Sequence, residues 1–98
     1  MILTIDQIRS ITVPIASSYG VKRLSLFGSY ARGEATESSD VDILIDRSGM
    51  AGGWVMGGLY ADMSEALGKE LDLVTTGIRD AAFLERIKKD EVLLYEAG

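Results

Sequence analysis

Apolar residues recur at helical spacing at the start of the chain, at Ile5, Ile8, Ile11 and Ile15. Side chains three and four residues apart share a helix face, so this stripe predicts an amphipathic helix. Thr4 and Gln7 have the form of a capping box, a hydroxyl at the N-cap and an amide three residues on. Pro14 falls inside the stripe; it lacks an N–H and crowds the Ser10 carbonyl, which predicts a kink or a restart. Gly20 closes the segment as a glycine just past a helix does. The period then changes. Val21 to Phe27, with Leu24, Leu26 and Phe27, reads as a strand stopped by Gly28. Ser29 to Arg32 reads as the first turn of a short helix, and residues 34 to 39 are a small, polar loop. Val41 to Ile45 is apolar except for Asp42, the pattern of a central strand buried on both faces.

Residues 46 to 53 are expected to form a loop. Five glycines fall between Gly49 and Gly58, and a helix with Val55, Leu59, Met63 and Leu67 as its apolar stripe follows. Gly57 and Gly58 inside it each cost about 1 kcal/mol against Ala. They mark either a frayed helix start, or a mobile flap or close helix approach. Glu70 to Thr75 is a third strand carrying Asp72. Arg79 to Lys89 is a last helix, its faces set by Ala82, Phe83, Arg86 and Ile87. Val92 to Tyr95 adds a short edge strand. The order α-β-α-β-α-β-α-β describes an α/β domain on one sheet, a single domain over residues 1–98.

Composition narrows the chemistry. Hydrophobic residues make up 47% of the 98-residue chain, enough to fold rather than stay disordered. There is no cysteine, hence no disulfide frame and no thiolate chemistry. There is no histidine, which removes the commonest general base and every imidazole ligand. A metal here must sit on oxygen, which points to magnesium or manganese rather than zinc. The net charge of −5 argues against broad electrostatic binding of DNA or RNA. No apolar run approaches the roughly 20 residues of a membrane span, and no signal peptide is visible, so the cytoplasm is the expected location.

The informative stretch runs from Gly28 to Asp42. A strand that stops at glycine and turns into a helix exposes backbone N–H groups to an anion, and Ser29 adds a hydroxyl. Taken alone this is also the form of an ordinary strand-to-helix corner. Arg32, one turn on, can fork onto a phosphate or pair with a carboxylate. Asp40 and Asp42 are two apart; on a strand both would project to one side, separated by roughly 6.6 Å of rise, and could share divalent ions. The alternative is that Asp40 caps a turn and Asp42 is a solvated strand residue. An unpaired carboxylate within Val41-Asp42-Ile43-Leu44-Ile45 would be costly to bury, and a cation or an arginine would resolve the cost. Asp72 repeats that situation in Leu71-Asp72-Leu73-Val74. If the two strands are neighbours, three carboxylates converge, with Asp72 the most plausible base for an incoming hydroxyl.

The string Gly28-Ser29-x-x-Arg32-Gly33 followed by Ser39-Asp40-x-Asp42 resembles the signature of the polymerase-beta-like nucleotidyltransferases. It is most similar to their minimal prokaryotic branch, the MNT or MntA type, and the resemblance extends over nearly the whole chain. It implies a mixed sheet flanked by helices. Gly28 and Ser29, with Arg32 matching the motif, would lie at the triphosphate; Asp40, Asp42 and Asp72 would be the metal-binding and catalytic acids. It further implies two magnesium ions and ATP as donor. The acceptor would be a tyrosine of an all-helical HEPN toxin of the HepT type, with this chain as its antitoxin. Larger relatives close over the nucleotide with a further helical domain, so acceptor and base recognition are expected to come from a partner or another copy. Two alternatives stand beside this reading. One is a module that neutralises its partner by contact alone; the other is a transferase acting on a small molecule such as an aminoglycoside.

Overall fold

The computed structural model describes residues 2–46, 48, 55–76 and 81–97. The elements are α1 (Ile5–Ser18), β1 (Arg23–Phe27), α2 (Gly28–Arg32), β2 (Val41–Asp46), α3 (Val55–Leu67), β3 (Leu71–Thr75), α4 (Ala81–Asp90) and β4 (Val92–Glu96). The strands form one sheet in the order β3-β2-β1-β4. β1 pairs antiparallel with β2 and β4, and β2 pairs parallel with β3, so the sheet is mixed. A parallel pair needs a crossover, and α3 lies within it.

α1 begins at the expected capping box: the Gln7 N–H donates to Thr4 Oγ1 at 3.0 Å, and the Thr4 N–H to Gln7 Oε1 at 2.8 Å. Pro14 neither restarts nor ends the helix, which is continuous over Ile5–Ser18. Ser10 and Pro14 are both exposed, so water can serve the carbonyl that Pro14 leaves without its N–H. Gly20 adopts φ 80°. Beside it, the Gly20 N–H donates to Ser17 O and the Val21 N–H to Ala16 O, the paired bonds of a Schellman ending. The buried seam of α1 is Ile8, Thr12 and Ala16; Ile5, Ile11 and Ile15 pack at its edges. Thr12 is tolerated there because its hydroxyl donates to Ile8 O at 2.8 Å.

Strand alternation divides the sheet into two faces. Leu24 and Leu26 of β1 and Val41, Ile43 and Ile45 of β2 join Ile8 and Ala16 of α1 and Leu59, Met63 and Leu67 of α3 in the main core. Phe27, Leu44 and Val74 form a second core on the other face, closed by Ile87 of α4 with Phe83 and Leu84 at its edge. Ala82 and Arg86 are exposed, so α4 is seated by Phe83, Leu84 and Ile87. α1 meets α3 at Gly58, where an added Cβ would stand 2.9 Å from the Tyr19 hydroxyl; that hydroxyl donates to Asp62 at 2.6 Å. Gly58 therefore leaves room for the Tyr19 side chain. Gly57 has open space around it, and the rest of the glycine-rich stretch, 49–54, lies outside the described residues.

β4 is the expected edge strand. Its pairing with β1 shifts register between Leu24 and Ser25. Arg9 of α1 reaches over beside the shift and donates to Leu93 O at 3.1 Å and Leu94 O at 3.2 Å. Among the described residues no helix is long and apolar enough to cross a membrane.

Candidate active site

The end of β1, the start of β2 and the start of β3 meet at one end of the sheet. Phe27 is opposite Asp42 across the antiparallel pair, and Asp42 is opposite Asp72 across the parallel one. Neighbouring strands lie about 4.8 Å apart. Asp42 shares the face of Leu44 and Asp72 the face of Val74, and both of those residues belong to the second core. The two carboxylates therefore project side by side on the face that α4 partly covers. The adjacency of β2 and β3, which was conditional in the sequence, is what brings them together.

Asp40 immediately precedes β2, which starts at Val41. It sits at the end of a turn in which the Thr36 N–H donates to Ser39 Oγ at 2.8 Å and the Ser39 N–H to Thr36 O at 3.1 Å. It is exposed, as is Asp72, whereas Asp42 is half-buried. Burial raises the Asp42 carboxyl to about 6; the charges of Asp72 and Asp40 add to the rise and Arg32 opposes it. Both neighbouring acids thus act on Asp42 electrostatically. Among the described residues, none of the three carboxylates has a hydrogen-bond or ion-pair partner.

Gly28 is fixed by this arrangement. Its φ is +74°, and a Cβ added there would overlap Oδ2 of Asp42 and lie 3.0 Å from its Cγ. Only glycine lets β1 turn into α2 at this angle with the Asp42 carboxylate lying against the turn. Ser29, the next residue, is half-buried, and among the described residues its hydroxyl has no partner. Arg32 is committed elsewhere: its Nε donates to Glu34 at 2.9 Å and its Nη1 to Asp90 at 3.0 Å. These two carboxylates hold its guanidinium strongly protonated. Of the two roles open to Arg32, this structure displays carboxylate pairing.

The donor set suits a hard divalent cation: carboxylate oxygens only, without competing partners, one of them half-buried beside like charges. Among the described residues, however, no three acidic side chains stand close enough together to form a ready-made metal cluster.

No motif in the sequence marks Glu34 and Asp90, which engage Arg32, and Phe83 and Arg86, expected only to set the faces of the last helix, line a cavity of about 180 Å³ between α2 and α4. Phe83, Arg86 and Asp90 reach this place through the packing of α4, whereas Glu34 lies two residues from Arg32 and pairs with it locally.

The family model for polymerase beta nucleotidyltransferases matches residues 11–98, and the chain belongs to that family. A Methanocaldococcus jannaschii protein, provisionally named a protein adenylyltransferase, is 37% identical over 90 residues, covering 92% of this chain and 97% of that one. The protein adenylyltransferase MntA of Thermococcus cleftensis is 48% identical over 48 residues, 45% of this chain and 48% of that one. Among solved structures, a provisionally named minimal nucleotidyltransferase aligns at a TM-score of 0.73 with 25% identity, covering 92% of this chain and 95% of that one. A toxin–antitoxin complex with AMP-PNP shares the fold at a TM-score of 0.78 and 19% identity, covering 91% of this chain and 73% of that one.

Proposed function

We propose that this chain is a magnesium-dependent protein adenylyltransferase that moves AMP from ATP to a tyrosine of a HEPN toxin of the HepT type and thereby acts as its antitoxin. The observation that carries this reading is the pairing of Asp42 with Asp72, in register on adjacent strands, with Asp42 lying against Gly28. The 37% identical relative bears the name of the activity. A HEPN toxin in tri-AMPylated form occurs in complex with an MNT antitoxin from Shewanella oneidensis that shares this fold, at a TM-score of 0.73 and 16% identity over 96% of this chain and 74% of that one.

The chemistry asks little covalent work of the protein. The acceptor hydroxyl oxygen forms a bond to the α-phosphorus, the bond from that phosphorus to the bridging oxygen breaks, and pyrophosphate leaves. Asp72, exposed and unpaired, accepts the hydroxyl proton. Gly28 and Ser29 hold phosphate oxygens through N–H and O–H donors. Asp40, Asp42 and Asp72 would hold magnesium, which when bound supplies charge neutralisation at the attacking and leaving oxygens. Asp40 and Asp72 are both exposed and open to an incoming cation.

A second reading is neutralisation of the toxin by contact, with a nucleotide site that does not turn over; a toxin–antitoxin complex shares this fold. Thermal unfolding separates the two. A live site is stabilised by ATP with magnesium in proportion to ln(1 + [L]/Kd), and Asp42→Asn removes the shift. Absence of any shift in the unaltered protein rejects the catalytic reading.

A further inference from the structure

We propose that Arg86 is a nucleotide-positioning residue, the anchor for the distal phosphates of the donor and for the pyrophosphate that leaves. This rests on the nucleotidyltransferase reading above and adds to it a residue outside the Gly-Ser and Asp-x-Asp motif. Phe83, Arg86, Ile87 and Asp90 are spaced so that they share one face of α4. Ile87 is 4% exposed and fixes that face to the second core. The face looks across at α2, and the space between them is the cavity of about 180 Å³, bounded by Phe27, Gly28, Arg32, Phe83, Arg86 and Asp90. Gly28 is the shared wall: the Asp42 carboxylate lies against it, and the cavity opens beside it. A nucleotide whose α-phosphate meets the carboxylates can therefore extend its remaining phosphates past Gly28 into this cavity.

The charges at the cavity wall are unequal in availability. Asp90 is held by Arg32 at 3.0 Å, and Arg32 is further engaged by Glu34 at 2.9 Å. That trio is already satisfied. Arg86 has no ion pair among the described residues. Its guanidinium lies 5.8 Å from the centre of the Phe83 ring, an arrangement that positions the cation without neutralising it. A positioned, unneutralised guanidinium is a fork for phosphate oxygens. The cavity is shallow and open to solvent, so phosphate oxygens can enter it beside Gly28. The guanidinium also occupies a face of the Phe83 ring that a stacking base would need. The plain alternative is a solvated surface arginine resting on an aromatic neighbour.

The test is calorimetric titration of the whole chain, in magnesium, with ATP, pyrophosphate and AMP in turn, comparing the unaltered protein with Arg86→Gln and Arg86→Lys. Arg86 is exposed, so unchanged thermal unfolding of the variants is expected and is checked. The proposal expects Arg86→Gln to weaken ATP and pyrophosphate by about tenfold or more, the scale of a lost charge-assisted contact. AMP binding should be unmoved, and Arg86→Lys should recover part of the loss. Equal ATP affinity in Arg86→Gln and the unaltered protein overturns the proposal and leaves the nucleotidyltransferase reading standing. An equal loss for AMP and ATP also overturns it, because the cavity would then take the nucleoside. An unaltered protein that binds neither ATP nor pyrophosphate overturns both.

Discussion

Gly28 and Asp42 occupy one another's space so closely that no side chain can be added at residue 28: a Cβ there would overlap the Asp42 carboxylate and lie 3.0 Å from its Cγ. The turn that presents backbone N–H groups and the carboxylate that faces Asp72 are therefore one construction. Gly28→Ala meets two penalties, a left-handed φ of +74° and the overlap. The left-handed conformation alone costs roughly 1–2 kcal/mol for an L-residue. The expected outcome is a loss of about 2 kcal/mol or more in urea unfolding, together with loss of ATP binding by the part that remains folded. Unchanged stability would show that the turn relaxes.

Asp42 gives the fold a pH dependence of a definite sign. A carboxyl whose folded pKa is raised binds its proton more tightly folded than unfolded, so its contribution to stability declines as pH rises. Here the decline runs from about pH 4 to about 6, since burial and the neighbouring acids lift Asp42 from 3.8 to about 6. After allowance for screening at a half-exposed site, the loss by pH 7 is about 1 kcal/mol. Asp42→Asn should remove this decline and be more stable than the unaltered protein at pH 7 without divalent cations. Urea unfolding across pH 4 to 8 with a chelator present reads it directly. A less stable Asn variant would instead assign Asp42 a structural ion pair.

Tyr30 is 3% exposed, and its hydroxyl has no hydrogen-bond partner among the described residues. A buried, unpaired hydroxyl is a cost rather than a support. Tyr30→Phe keeps the ring and should leave stability unchanged or raise it by about 1 kcal/mol, measured as the urea midpoint. A loss of comparable size would reveal a bound water or another partner at that oxygen.

Arg9 shields the edge strand at its register shift by donating to the carbonyls of Leu93 and Leu94. Exposed edge carbonyls invite strand addition. Arg9→Ala should cost about 1 kcal/mol and raise concentration-dependent association in light scattering. An unchanged monomer fraction would show that the bulged strand protects itself.

Much of this was legible before any coordinates. The capping box at Thr4 and Gln7, the three core-bearing strands and the stripe Leu59-Met63-Leu67 follow from local pattern, and local chemistry decided them. Asp42 and Asp72 stood out because each is a lone acid in an apolar strand, although nothing in the sequence states that β2 and β3 are parallel neighbours. Pro14 does not restart α1, and the sequence alone does not say so, because whether the freed Ser10 carbonyl faces water is a tertiary matter. The engagement of Arg32 by Asp90, and the approach of Arg86 to the Gly28 turn, depend on where α4 packs.

The proposed transfer of AMP to a protein tyrosine is tested most directly by the intact mass of the proposed HEPN partner after incubation with this chain, ATP and magnesium. The control is the Asp40→Ala/Asp42→Ala double variant. The account predicts one or more AMP-sized additions on a partner tyrosine, absent with the double variant. An unmodified partner that still forms a stable complex with both versions would contradict it and leave neutralisation by contact.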